Sequence, residues 1–168
     1  MDLASSFIGL GFVLAIIIPI VWSAMAAKSK KKKSLNNFLE LAEQHQLKIT
    51  LSDVWNDTNF IGLDGEAKKL FYLNKQESDE QSVLINLSDI ESCKVINIGR
   101  TVKTDNGSSK VIDRLELRFT YSNPKIPEKT IEFYHVDRNA AFGGELLLIE
   151  KWEHLIKTAI KTKWLAAS

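Results

Sequence analysis

The chain has 168 residues, a formal net charge of +1 and a single cysteine. Residues 1–33 carry five lysines against Asp2, so the remaining 17 basic and 20 acidic residues leave the rest of the chain at −3. A mildly acidic domain does not have the footprint of a nucleic-acid-binding surface, and one cysteine excludes a disulfide framework.

The first element expected is a single transmembrane helix over Phe7–Ala27. Its 21 residues hold no charge, and at about 1.5 Å per residue a helix of that length matches the ~30 Å hydrocarbon core of a bilayer. Trp22 lies where an interfacial aromatic belongs. Lys28, Lys30, Lys31, Lys32 and Lys33 follow at once, as a stop and headgroup-contact signal that keeps this end in the cytoplasm. Ala24-Met25-Ala26 also has the small-x-small pattern of a signal-peptide cleavage site. Asp2, the absence of basic residues before the apolar run and the lysines after it oppose that reading. The expected location is therefore the inner membrane, single-pass, with the N-terminus outside and the C-terminal domain in the cytoplasm.

Residues 34–47 predict a juxtamembrane amphipathic helix, with Ser34 as N-cap and Leu35, Phe38, Leu39 and Ala42 at helical spacing. From Lys48 the period changes to two. Strands are expected over 48–54, 58–63, 69–73, 82–87, 92–103, 111–121 and 130–136, with a polar loop over 74–81, a turn at 88–91 and a hairpin at Thr104–Ser109. Leu115, Leu117, Phe119 and Tyr121 share one face of the sixth strand. A final helix from Glu145 to about Lys161 carries Leu148, Ile149, Trp152, Leu155, Ile156, Ala159 and Ile160 as an apolar stripe. Trp55 is read as a core plug.

Seven antiparallel strands followed by one helix resemble the pleckstrin-homology superfold. Ile61-Gly62-Leu63-Asp64, Lys69-Leu-Phe-Tyr-Leu73 and Ile85-Asn-Leu-Ser-Asp-Ile-Glu91 look like the opening strands of bacterial PH-like domains, with Asn86 where that family often has proline. The resemblance covers roughly residues 48–163. It implies an α+β fold, a PH-like seven-stranded antiparallel β-barrel or sandwich closed by the C-terminal helix. The domains are then 1–33 as anchor, 34–47 as juxtamembrane helix, 48–163 as PH-like domain and 164–168 as tail.

No catalytic constellation stands out. His45, His135 and His154 fall on three expected elements without metal-ligand spacing, and Cys93 has no Cys or His nearby. Asp53, Asp57 and Asp64 suggest turn capping, and Gly143-Gly144 a hinge or turn. An enzyme would have to gather distant residues such as Asp89 and His135. No catalytic residue, cofactor, metal or small-molecule substrate is implied. The expected partners are the bilayer and a protein, which makes the chain a non-enzymatic scaffold or accessory subunit of an inner-membrane assembly. The alternative is an anionic-lipid sensor that reads headgroups with the lysine run and a basic rim of Arg100, Lys103, Lys110 and Arg114 around the Thr104–Ser109 hairpin.

Overall fold

The computed structural model describes residues 32–76, 79–104, 107–139 and 141–166. The expected span over residues 7–27, with Trp22, Lys28, Lys30 and Lys31, lies outside them. No helix among the described residues is long and apolar enough to cross a membrane.

The chain divides into two compact units after Leu41. The first helix, α1, is helical from residue 32 to residue 44, so Ser34 lies inside it rather than capping it. Phe38 and Ala42 are its buried positions. The chain leaves the helix through Gln46, whose φ of 58° lets Leu47 N–H reach Ala42 O at 3.0 Å. That bond satisfies a terminal carbonyl in the Schellman manner. Just past the end of α1 the His45 ring lies 5.4 Å from that of Phe71.

Seven antiparallel strands follow in two sheets. The first contains β1 (Leu51–Trp55), β2 (Asn59–Asp64), β3 (Lys69–Gln76) and β4 (Asp79–Asn86), in the order β1-β2-β3-β4. The second contains β5 (Ile90–Thr104), β6 (Gly107–Tyr121) and β7 (Lys129–His135), in the order β5-β6-β7. Helix α2, Glu145–Ala166, closes the chain order. Among the described residues the strands do not close into a barrel. β4 and β5 belong to different sheets and are separated by a 3-10 turn, Leu87–Asp89. β1 and β7 are bridged by a side chain rather than a backbone ladder: the Trp55 indole N–H donates to Phe133 O at 2.9 Å.

Period-two alternation explains the inner faces. Leu115, Leu117 and Phe119 of β6 are fully buried, and Ile131 and Phe133 of β7 join them. From α2, Ile149, Trp152, Ile156 and Ile160 pack into the same core. β2 is buried along its whole length. Ile61 and Leu63 enter the core, while Phe60 lies on the opposite face, the pattern of a strand covered on both sides.

Two anchors fix α2. Asp53 Oδ2 in β1 accepts from Lys151 Nζ at 2.6 Å and from Trp152 Nε1 at 2.9 Å. Asp53 therefore works from mid-strand rather than as a turn cap. Glu153 Oε1 accepts from the Val95 backbone N–H at 2.9 Å, covering one edge donor of β5.

Candidate functional site

The two longest strands build an exposed arm. β5 and β6 pair from Ile90↔Tyr121 out to Thr104↔Gly107. β7 pairs with β6 only between Phe119 and Arg114. Beyond Arg114 the ribbon is therefore two-stranded, a form with little stability of its own. A register shift between Ile98 and Gly99 marks its base, and a β-bulge at such a point re-aims the chain. Gly99 is required there, since a Cβ would stand 2.5 Å from Val111 O. On this arm Ile98 is 39% exposed and Val102 38%, while Arg100, Thr101, Lys103 and Lys110 are also exposed.

The four cations expected to form one rim do not act as one group. Arg100 Nε lies 3.5 Å from Asp113 Oδ1, and Arg114 Nε lies 3.1 Å from Glu116 Oε1. Thr101 is opposite Lys110 and Lys103 is opposite Ser108. Strand alternation thus places Lys103 and Lys110 on a common face and Arg100 on the other. Lys32 and Lys33, from the headgroup-contact set, are exposed at the start of the described α1.

A second feature gives no signal in the sequence. A largely polar cleft of about 190 Å³ is lined by Tyr72, Asn74, Gln81, Thr130, Glu132 and Arg138, with Val83 as its one aliphatic residue. It adjoins a smaller hollow of about 70 Å³ that shares Asn74, Glu132 and Arg138 and adds Thr58, Asn59 and Asn139. At its floor the Tyr72 hydroxyl donates to Asn59 Oδ1 at 2.8 Å, and Asn74 Nδ2 donates to the same oxygen at 2.7 Å. At its mouth Arg138 NH2 donates to Glu132 Oε2. Burial pushes the Glu132 carboxyl above its usual range, with Glu116 adding to the effect and Arg138 and His135 opposing it. Burial likewise raises the Tyr72 hydroxyl.

The remaining chemistry-bearing residues have structural surroundings. Burial, then Glu153, pushes the Cys93 thiol up to about 12, so it stays protonated. His135 Nδ1 accepts from the Asp137 backbone N–H, and His154 is exposed on α2. Asp89 accepts from Asn86 Nδ2 at 3.0 Å, while Asn86 Oδ1 accepts from Ser88 N–H at 3.2 Å. Asn86 is thereby a cap of the 3-10 turn, a role proline could not fill with its side chain. Gly143 N–H donates to Glu145 Oε2 at 2.6 Å. Among the described residues no group of His, Cys, Asp and Glu is placed to hold a metal ion.

The motifs that carry the PH-like resemblance fall in β2, in β3, and from the end of β4 into β5. No protein-family model, no curated protein and no solved structure matches the chain.

Proposed function

We propose that the chain is a non-enzymatic protein-binding module, an accessory or scaffold subunit of a membrane assembly, and that the β5–β6 arm is its contact element. The observation that carries this reading is the length mismatch between β6 and β7, which leaves the ribbon beyond Arg114 without a third strand. A ribbon with exposed apolar residues and open edges is a template for a partner. Natural proteins otherwise cover such edges. The arm carries Arg100, Lys103 and Lys110 beside Ile98 and Val102. Like charge disfavours pairing with a second copy, so the partner surface is acidic with apolar positions. Placement at the cytoplasmic face of the inner membrane rests on the sequence of residues 7–33, an uncharged run followed by lysines.

The test is crosslinking and affinity purification of the full-length chain from gently solubilised native membranes. A stoichiometric protein whose crosslinks map to residues 98–112 is the expected result. A chain that always migrates alone, or that enriches only anionic lipid through Lys103 and Lys110, contradicts it.

A further inference from the structure

The polar cleft between β3–β4 and β7 is independent of the arm, and its chemistry defines a ligand. Three observations narrow the class. The first is charge. Glu132 and Arg138 face the cleft as a pair. A bound anion would meet the carboxylate and a bound cation the guanidinium, so neither is favoured over a neutral molecule.

The second is hydrogen-bonding capacity. Among the described residues Arg138 engages one carboxylate oxygen, which leaves most of its guanidinium N–H donors uncommitted. Glu132 Oε1, Asn74 Oδ1 and the Thr130 hydroxyl supply acceptors on the same walls. The cleft therefore offers donors and acceptors side by side, held by a floor in which Asn59, Tyr72 and Asn74 fix one another. A hydroxyl group both donates and accepts, and matches such a wall from any side.

The third is size. At about 190 Å³ the cleft falls below the roughly 300 Å³ at which drug-sized sites begin. Its walls come from strands rather than loops, apart from Arg138, and so hold a fixed shape.

We infer that this cleft binds a small neutral polyhydroxyl ligand, of monosaccharide or cyclitol size, with Arg138 and Glu132 forming the mouth and Asn74 and Thr130 the wall. The inference goes beyond the protein-binding reading and stands or falls separately from it.

The experiment is a titration of the isotopically labelled full-length chain, followed through its backbone amide resonances. The neutral probes are D-glucose, D-galactose, D-mannose, myo-inositol and glycerol, with acetate and methylammonium as charged comparators. The expected result is a saturable shift confined to Asn74, Thr130, Glu132 and Arg138 with at least one neutral probe. Affinity should fall about tenfold in Arg138→Ala, the consequence of losing one charged hydrogen bond. Arg138 is more than half exposed, so this variant keeps its fold, which the dispersion of the untouched core resonances verifies. Thr130→Val, also at an exposed position, provides a second variant with a smaller expected loss. No saturable shift with any neutral probe overturns the inference. So does tighter binding of acetate or methylammonium, or an affinity in both variants equal to that of the parent chain. Partner capture through the arm is unaffected by any of these outcomes, so the two readings fail separately.

Discussion

The indole of Trp55 lies 4.4 Å from the ring of Phe133, within 11° of parallel, while its N–H donates to the carbonyl of that same residue. The two residues are 78 positions apart and belong to different sheets. This contact joins β1 to β7 where no ladder does. Tyr72 also stacks with the indole, its ring centroid 5.9 Å away. The floor of the polar cleft is thereby tied to the junction of the sheets.

Replacing Trp55 separates the two parts of the contact. Trp55→Phe keeps an aromatic ring and loses the hydrogen bond, leaving the Phe133 carbonyl unsatisfied, with an expected cost of about 1–2 kcal/mol. Trp55→Ala also opens a cavity and should cost about 3–5 kcal/mol. Urea unfolding midpoints check both values. Equal midpoints for the two variants would mean that the ring contributes nothing.

At the base of the arm, Gly99→Ala brings a methyl within 2.5 Å of the Val111 carbonyl. The obstacle is backbone, so the bulge must shift. The expected cost is about 1–3 kcal/mol, with faster amide exchange confined to residues 98–112. Uniformly faster exchange across the core would show that the arm does not open by itself.

Much of this architecture was legible in the sequence, and the exceptions have physical causes. The alternation of Leu115, Leu117 and Phe119 and the stripe from Ile149 to Ile160 follow from burial on one face, and both are observed. Trp55 is a core residue, as its type suggests. The segment 74–81 reads as a loop because it is polar, yet most of it is strand. Asn74 pairs with Gln81 and Lys75 with Glu80, and the latter pair also forms an ion pair at 3.7 Å. At that end the hairpin faces water and the cleft, so its polarity marks exposure rather than a turn. The cleft itself was invisible. Asn59, Tyr72, Glu132 and Arg138 come from separate elements, and only the packing of the two sheets brings them together.

Asp64 closes the β2–β3 turn. It accepts from Ala67 N–H at 2.8 Å and from Lys48 N–H at 2.7 Å, and these bonds, Ala67 first, hold its carboxyl below the usual range. The folded-state pKa is lower than the unfolded one. The stabilisation is therefore present above the unfolded value of about 3.9 and is lost as pH falls through the lower folded value. Asp64→Ala should lower stability at pH 7 by about 1–3 kcal/mol and flatten the pH dependence below about pH 4. Chemical denaturation of both proteins at several pH values measures this difference.

Cys93 is fully buried among core residues, with its thiol pushed up to about 12. At neutral pH it has almost no thiolate, the reactive form. Iodoacetamide should modify it only on unfolding, at a rate set by global opening. Rapid labelling of the native chain would place Cys93 outside the core.

The arm remains the centre of the functional reading. The most direct test is a photocrosslinking residue in place of Val102 in the full-length chain, activated in intact cells. The expected result is a discrete protein adduct that disappears when Ile98→Asp is added, with the unfolding free energy of that variant within about 0.5 kcal/mol of the parent because position 98 is exposed. Adducts to lipid alone, or a protein adduct that survives Ile98→Asp unchanged, would contradict the assignment of the β5–β6 arm as the partner-binding element.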